Sequence, residues 1–258
     1  MDYYHDCYSP TRQPVYAVLS KERELLPGVK WGDYCQLYTP AFWKHLYETN
    51  VTSIQIQSRS LGESLLEEVV ACLLGGYGIP SEIGWLAFQR LKKDGLIYKG
   101  VALDVILKAL QAPFYLKEGK PIHYRFSTQK STYIYRFLNR KDLEFIHVLD
   151  DTSLRNWLLQ VDGIGPKTAS WITRNWLKSE QVAILDIHLL RAGQLMGLFK
   201  RTENVSLHYL SMEDKYLKFC QALDVLPSIM DEVIWSFMKR SNTLALRILN
   251  YRRQACTA

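Results

Sequence analysis

Cysteine is scarce and scattered in this 258-residue chain: Cys7, Cys35, Cys72, Cys220 and Cys256 are odd in number and never form a C-x-x-C pair. That pattern argues against a disulfide framework, a structural zinc site and a cysteine-held iron–sulfur cluster, so no metal is expected and the thiols should mostly pack. Long apolar runs are missing too; none reaches the ~18 residues that a membrane span needs. The opening residues MDYYHDCYSP offer neither a basic nor an apolar stretch of the kind a secretory signal carries, which leads us to expect a cytoplasmic, nucleoid-associated protein. There is no internal repeat, no low-complexity tract and no linker-like segment. Charge excess is small: a net +6 with a pI near 8.9 permits a polyanionic partner without requiring one.

Aromatic residues, by contrast, are abundant, with 16 Tyr, 9 Phe and 7 Trp. They fill cores, and in a basic protein they also supply surfaces on which an unstacked base can lie. At 48% hydrophobic and 22% charged the composition is that of a globular chain, long enough for one large domain or two small ones. Helical periodicity dominates from residue 62. It predicts a buried helix in ESLLEEVVACLL ending at Gly75-Gly76, a second through Ile83–Leu91 and a third over Val101–Leu110. Residues 111–128, punctuated by Pro and Gly, read as a loop, and QKSTYIYRFLNR and DLEFIHVL as two more helices. Further helices are expected after Asp186, across MEDKYLKFCQAL, and across PSIMDEVIWSFMKR from Pro227. Before residue 60, VYAVL and SIQIQ suggest short strands, and TPAFWKHLYE a Thr-capped, Pro-started helix.

The most informative stretch is QVDGIGPKTASWITRNW, residues 160–176. Residues 153–161 and 166–177 read as amphipathic helices joined by DGIG, a connection short enough to force an antiparallel helix–hairpin–helix over 153–177. Gly163 and Gly165 leave no side chain over the turn, so amide N–H groups at the start of the second helix can meet a phosphate directly. Such contacts hold a nucleic-acid backbone without reading its sequence. A Walker loop fails here, because Pro166 separates the glycine from the lysine; a dinucleotide fingerprint fails because its third glycine falls on Thr168.

Pro166 at the first helical position puts Lys167 at the second, where helix-end partial charge disfavours a cation. A phosphate contact is one use for it. Another is nucleophilic: the helix-end field is worth about 0.3–1 kcal/mol, too little alone to free an amine of its proton at neutral pH, so desolvation and like charge must do the rest. Trp171 and Arg174 lie further along the same face, while Ala169, Ile172, Trp176 and Leu177 form the core face. The apolar run VAIL leads to Asp186, nineteen positions after the lysine. Asp186 suits a helix N-cap, and a rigidly held carboxylate also suits an oxocarbenium-like transition state at a sugar C1′.

Hairpin, lysine and the later aspartate together resemble the helix–hairpin–helix DNA glycosylase superfamily, and the spacing with LDIH is most similar to its 8-oxoguanine DNA glycosylases. The likeness is strongest over 150–192 and tracks helix order from about 62 to 250. It implies Lys167 as the amine that attacks C1′, forms a Schiff base and cuts the strand by β-elimination, with Asp186 stabilising positive charge. It implies a phosphate contact for His188 and a place in the base pocket for Trp171. Asp231 and Trp235, one turn apart, resemble an Asp/Trp pair of the archaeal-type enzymes; a base stacked between Trp171 and Trp235 and hydrogen-bonded by Asp231 is the expected pocket, with Trp85 a further wall. The glutamine that type uses falls among Gln36, Gln55 and Gln57. The four-cysteine cluster of the endonuclease III branch is absent, as is room for the β-rich N-terminal domain of eukaryotic-type enzymes, and the lysine argues against the alkylpurine and mismatched-adenine branches.

The expected architecture is mostly α: a helical barrel over 62–178 ending in the hairpin, and a second helical body from 1–61 plus 179–258, flanking a cleft with Lys167 on one side and Asp186 on the other. The expected partner is double-stranded DNA with a damaged base, bound by a monomer that needs no cofactor. Two alternatives stand: a non-catalytic helix–hairpin–helix module, and a glycosylase for another oxidised base.

Overall fold

The computed structural model describes residues 20–51, 60–76, 78–115, 119 and 121–255. The chain divides into two compact units, Ile56–Ile184 and Met1–Gln55 with Leu185–Ala258. It is mostly helical, as the periodicity requires, with two small β hairpins among the described residues.

Near the N-terminal side, β1 (Glu24–Leu26) and β2 (Val29–Lys30) pair antiparallel around Gly28, whose φ of +77° suits glycine. Helix α1 (Pro40–Asn50) starts as its sequence dictates, with Pro40 in the first turn and the Thr39 hydroxyl accepting the Phe42 N–H at 3.1 Å.

The unit Ile56–Ile184 is built from α2 (Leu65–Leu74), α3 (Ser81–Lys93), α4 (Leu103–Gln111), the hairpin β3 (Phe114–Tyr115) with β4 (Pro121–Ile122), α5 (Ser127–Leu138), a 3-10 turn over Leu143–Val148, α6 (Asp151–Leu158) and α7 (Pro166–Leu177). Its core takes one stripe from each helix: Val70 and Leu74, Phe88 and Leu91, Ile106 and Leu110, Ile134, Leu154 and Leu158, Ala169 and Ile172 are all fully buried. At roughly 1.5–3 kcal/mol per buried large apolar side chain, this packing rather than helix propensity holds the unit together.

The C-terminal part contributes α8 (Ile187–Met196), α9 (Val205–Leu223), bent at His208, and the long α10 (Pro227–Ala255). Helix α10 packs along α8 and α1, and Phe237 meets Phe42 and Trp43 edge-on at ring separations of 5.1 and 5.6 Å. Gly193 on α8 is required by packing: a Cβ there would fall 2.2 Å from the Phe199 ring.

Several local expectations are corrected. DLEFIHVL is not an α-helix but a 3-10 turn over Leu143–Val148, with Leu143 and Ile146 buried, a spacing that either kind of helix can present. The Asp142 carboxylate, well placed to cap an α-helix, is bound instead to Arg140 and the Trp157 indole. The segment read as a loop contains β3 and β4, each two residues long and so too short to show alternation. The first hairpin helix spans Asp151–Leu158, with Asp150 as its cap, rather than 153–161. Leu177, expected on the core face of α7, is exposed: the helix ends there as Lys178 turns left-handed at φ 54°. VYAVL and SIQIQ lie outside the described residues, as do Gln55 and Gln57.

Candidate functional site

The hairpin between α6 and α7 is locked by its glycine. Gly163 sits at φ +83°, and a Cβ there would fall 2.4 Å from the Tyr133 ring of α5, so both backbone and packing demand glycine. Arg136 of α5 and Arg140 just beyond its end grip the turn further, through Arg136 to Asp162 at 2.8 Å and Arg140 to the Gln160 carbonyl at 3.2 Å. Gly165 differs: its φ is −95°, and no atom lies within 4 Å of where a Cβ would be. It is the N-cap residue of α7, and no side chain caps that end. The first-turn amides of Lys167 and Thr168 therefore face an open approach, the arrangement that receives a phosphate oxygen.

Lys167 is exposed at this start, its Nζ 6.0 Å from the Trp171 ring centroid. Among the described residues it makes no ion pair. A carboxylate there would have relieved the clash between cation and helix end; without one, the amine has only the Trp171 ring beside it among the described residues. Lys167, Thr168 and Trp171 form one wall of a cavity of about 720 Å³ within the same unit, inside the range of small-molecule pockets. Helix α3 supplies Ser81, Gly84, Trp85 and Phe88, α2 supplies Ala71 and Cys72, and Leu61, Gly75, Gly76 and Ile79 complete the lining. Trp85 leans on Phe88 at 5.4 Å and keeps much of its face exposed. Apart from the lysine amine, a few hydroxyls and backbone, the lining is apolar.

The pocket is held from behind by a buried carboxylate. Glu68 accepts the Leu61 and Gly62 N–H groups at 2.5 and 3.0 Å, fixing the segment that brings Leu61 to the lining. Burial pushes the Glu68 carboxyl above its ordinary range against those hydrogen bonds, and burial together with Glu68 pushes the Cys72 thiol well up. A thiol pushed up in this way is a poor nucleophile, so Cys72 contributes to the lining by packing.

The remaining predicted residues belong to the other unit. Asp186 is the N-cap of α8, its Oδ1 accepting the His188 and Leu189 N–H groups at 2.8 and 2.9 Å. Both bonds use the same oxygen, which leaves Oδ2 without a partner among the described residues. His188, in the first turn, is half-buried, and its Nδ1 is shut away from solvent without a hydrogen bond among those residues. On α10, Asp231 is buried and Trp235 exposed one turn later, with the Lys239 ammonium 4.7 Å from the indole centroid. Trp235 is therefore not a core residue, unlike its neighbours Val233 and Ile234. Gln36 is exposed in the turn before α1. Periodicity could not reveal Cys72, Gly84 and Phe88 as pocket lining, because only the packing of α2 against α3 brings them together; a glycine in the middle of α3 was the one signal.

Among the described residues no helix is long and apolar enough to cross a membrane, and no group of three or more His, Cys, Asp or Glu is placed to hold a metal.

Comparison with known proteins agrees on one family. A family profile described as 8-oxoguanine DNA glycosylase matches residues 49–225. An 8-oxoguanine DNA glycosylase/AP lyase of Fusobacterium nucleatum is 30% identical over 163 residues, covering 58% of this chain and 69% of that protein. One of the same description from Metallosphaera sedula is 25% identical over 191 residues, 72% of this chain and 87% of that protein. Among solved structures, the 8-oxoguanine DNA glycosylase of Thermotoga maritima superposes with a TM-score of 0.56 at 23% identity, over 78% of this chain and 95% of its own. That of Methanocaldococcus jannaschii gives 0.57 at 22%, over 79% and 94%, and its complex with a 15mer DNA containing 8-oxoguanine gives 0.51 at 22%, over 76% and 90%.

Proposed function

We propose, starting from the fact that this chain belongs to the helix–hairpin–helix family of 8-oxoguanine DNA glycosylases, that it removes 8-oxoguanine from duplex DNA and then cuts the strand, with Lys167 as the attacking amine. The observation that carries this reading is an amine with no ion pair, among the described residues, at an uncapped helix start, lining the same apolar cavity as Trp85 and Trp171.

In this reading the hairpin amides around Gly163 and Gly165 seat a backbone phosphate, and the lesion nucleotide turns out of the helix at a cost of a few kcal/mol. The extruded base enters the cavity, where stacking on indole is worth about 1–3 kcal/mol per base. The Lys167 Nζ lone pair then forms a bond to C1′ as the C1′–N9 bond breaks and the base leaves with its electron pair. The sugar ring opens to an imine. Transfer of a 2′ proton to water expels the 3′ phosphate with its bonding electron pair, which cuts the strand, and water then hydrolyses the imine to free Lys167. Asp186 is assigned the carboxylate that steadies the positive charge developing at C1′ and accepts the amine proton; one oxygen fixed by two amides and a second left over suits both tasks. Asp231 and Trp235 are assigned to the edge and face of the base, and His188 to a phosphate through its Nε2.

Borohydride trapping tests this directly, on duplexes carrying 8-oxoguanine, an oxidised pyrimidine, an abasic site or no damage, with Lys167→Ala alongside. A covalent adduct on the 8-oxoguanine strand that the variant cannot form is the expected result. An adduct only at the oxidised pyrimidine would overturn the substrate, and DNA binding with no adduct on any duplex would overturn the chemistry.

A further inference from the structure

Lys130 is out of place by every local criterion. It stands in the first turns of α5, where the helix's own partial charge opposes a cation. It is half-buried, and burial pushes its amine below the ordinary lysine range. Among the described residues it has no carboxylate partner. Its one polar contact among them is the Gly75 carbonyl, which accepts from Nζ at 3.2 Å.

That carbonyl belongs to the end of α2, where helical carbonyls run out of intrahelical donors. The preceding one, on Leu74, accepts from the buried Tyr124 hydroxyl at 2.6 Å. Two side chains, one from the segment leading into α5 and one from α5 itself, thus close the end of α2. Beyond that end the chain forms the glycine rim of the pocket: Gly75 and Gly76 line it, and Gly76 and Gly78 hold φ values of +113° and +78°. Phe126 packs beneath Gly78, and Gly84 of α3 lies so close that a Cβ there would come within 3.0 Å of the Leu74 carbonyl oxygen. Two glycines at the rim, with a third two residues on, have little stiffness of their own. Its position is set by what grips it.

We propose that Lys130 is a positioning residue for base excision, holding the Gly75 carbonyl, and with it the rim of the base pocket, without touching DNA. The proposal rests on the glycosylase reading above. It separates the two steps of the reaction: removing the base needs the pocket, whereas β-elimination at an abasic site that has already lost its base does not.

The test is Lys130→Met, which keeps the length of the side chain and removes the ammonium, compared with Lys130→Arg, which restores a donor. Single-turnover excision of 8-oxoguanine should fall on the order of tenfold with Met, the scale of a small misplacement in an active site, and recover with Arg. Cleavage of a preformed abasic site and affinity for undamaged duplex should stay within about twofold, too small a change to signal a lost contact. Tyr124→Phe, which releases the neighbouring carbonyl, should shift excision in the same direction and serves if the Met variant does not fold. Equal losses on both substrates, a weakened salt dependence of duplex binding, or wild-type excision would each overturn the proposal. Failure of the underlying reading looks different: the unmodified chain would then excise no base at all, and both would fall.

Discussion

Two helix N-termini carry the proposed chemistry, and they are finished in opposite ways. Helix α8 opens on Asp186, whose carboxylate satisfies two first-turn amides. Helix α7 opens on Gly165, with no side-chain cap and a cation in its first turn. The first end is complete within the protein; the second becomes complete when an anion arrives. A helix start left open on glycine gives up a few tenths of a kcal/mol of capping energy, and a lysine where a carboxylate would be expected costs about 0.3–1 kcal/mol more. That sacrifice is intelligible if the missing partner is a DNA phosphate.

Substitutions at four positions test this contrast, beginning with the largest effect. Lys167→Ala should abolish borohydride trapping and reduce excision by roughly three orders of magnitude or more. Its melting temperature should hold or rise slightly, since relieving a cation in the first turn is worth about 0.3–1 kcal/mol. Asp186→Asn should lower excision by about 10²–10³-fold while leaving stability unchanged, because asparagine caps as well as aspartate; Asp186→Ala should cost about 1 kcal/mol in addition. Full activity in the Asn variant would reduce Asp186 to a cap. Gly163→Ala should destabilise by about 1–2 kcal/mol through its left-handed backbone, before the displacement of Tyr133 is counted, and weaken binding equally to damaged and undamaged duplex in a titration. Smallest in stability is Gly165→Asp, which fits the open site and caps α7. It should stabilise by a few tenths of a kcal/mol and weaken DNA binding, converting the open end into a copy of the closed one.

The contrast itself was legible in the sequence. Pro166 announces the first turn of α7, glycine before it rules out a side-chain cap, and the apolar run ending at Asp186 announces a capped start. The long amphipathic helices were legible for the same reason: their stripes repeat often enough to fix both type and face. What escaped was what repeats too little or joins distant positions. Strands of two residues have no alternation to detect. The turn at Leu143–Val148 shows a spacing that fits a short α-helix until the fate of the Asp142 carboxylate is known. The hold of Lys130 on Gly75 spans 55 positions and depends on how α5 lies against α2, so no local pattern encodes it. Trp85 was visible as an aromatic on α3, but its sharing of a cavity with Lys167 arises only from the packing of α2, α3 and α7.

The thiol in the pocket wall has a consequence for durability. Peroxide attacks thiolates, not thiols. Cys72 is only half-buried at the pocket wall, but burial and the Glu68 carboxyl one turn away push its thiol well up and favour the protonated form. A thiol held in that form reacts slowly with peroxide, so under the proposed function this wall of the pocket would tolerate the oxidants that damage guanine better than an ordinary exposed cysteine would.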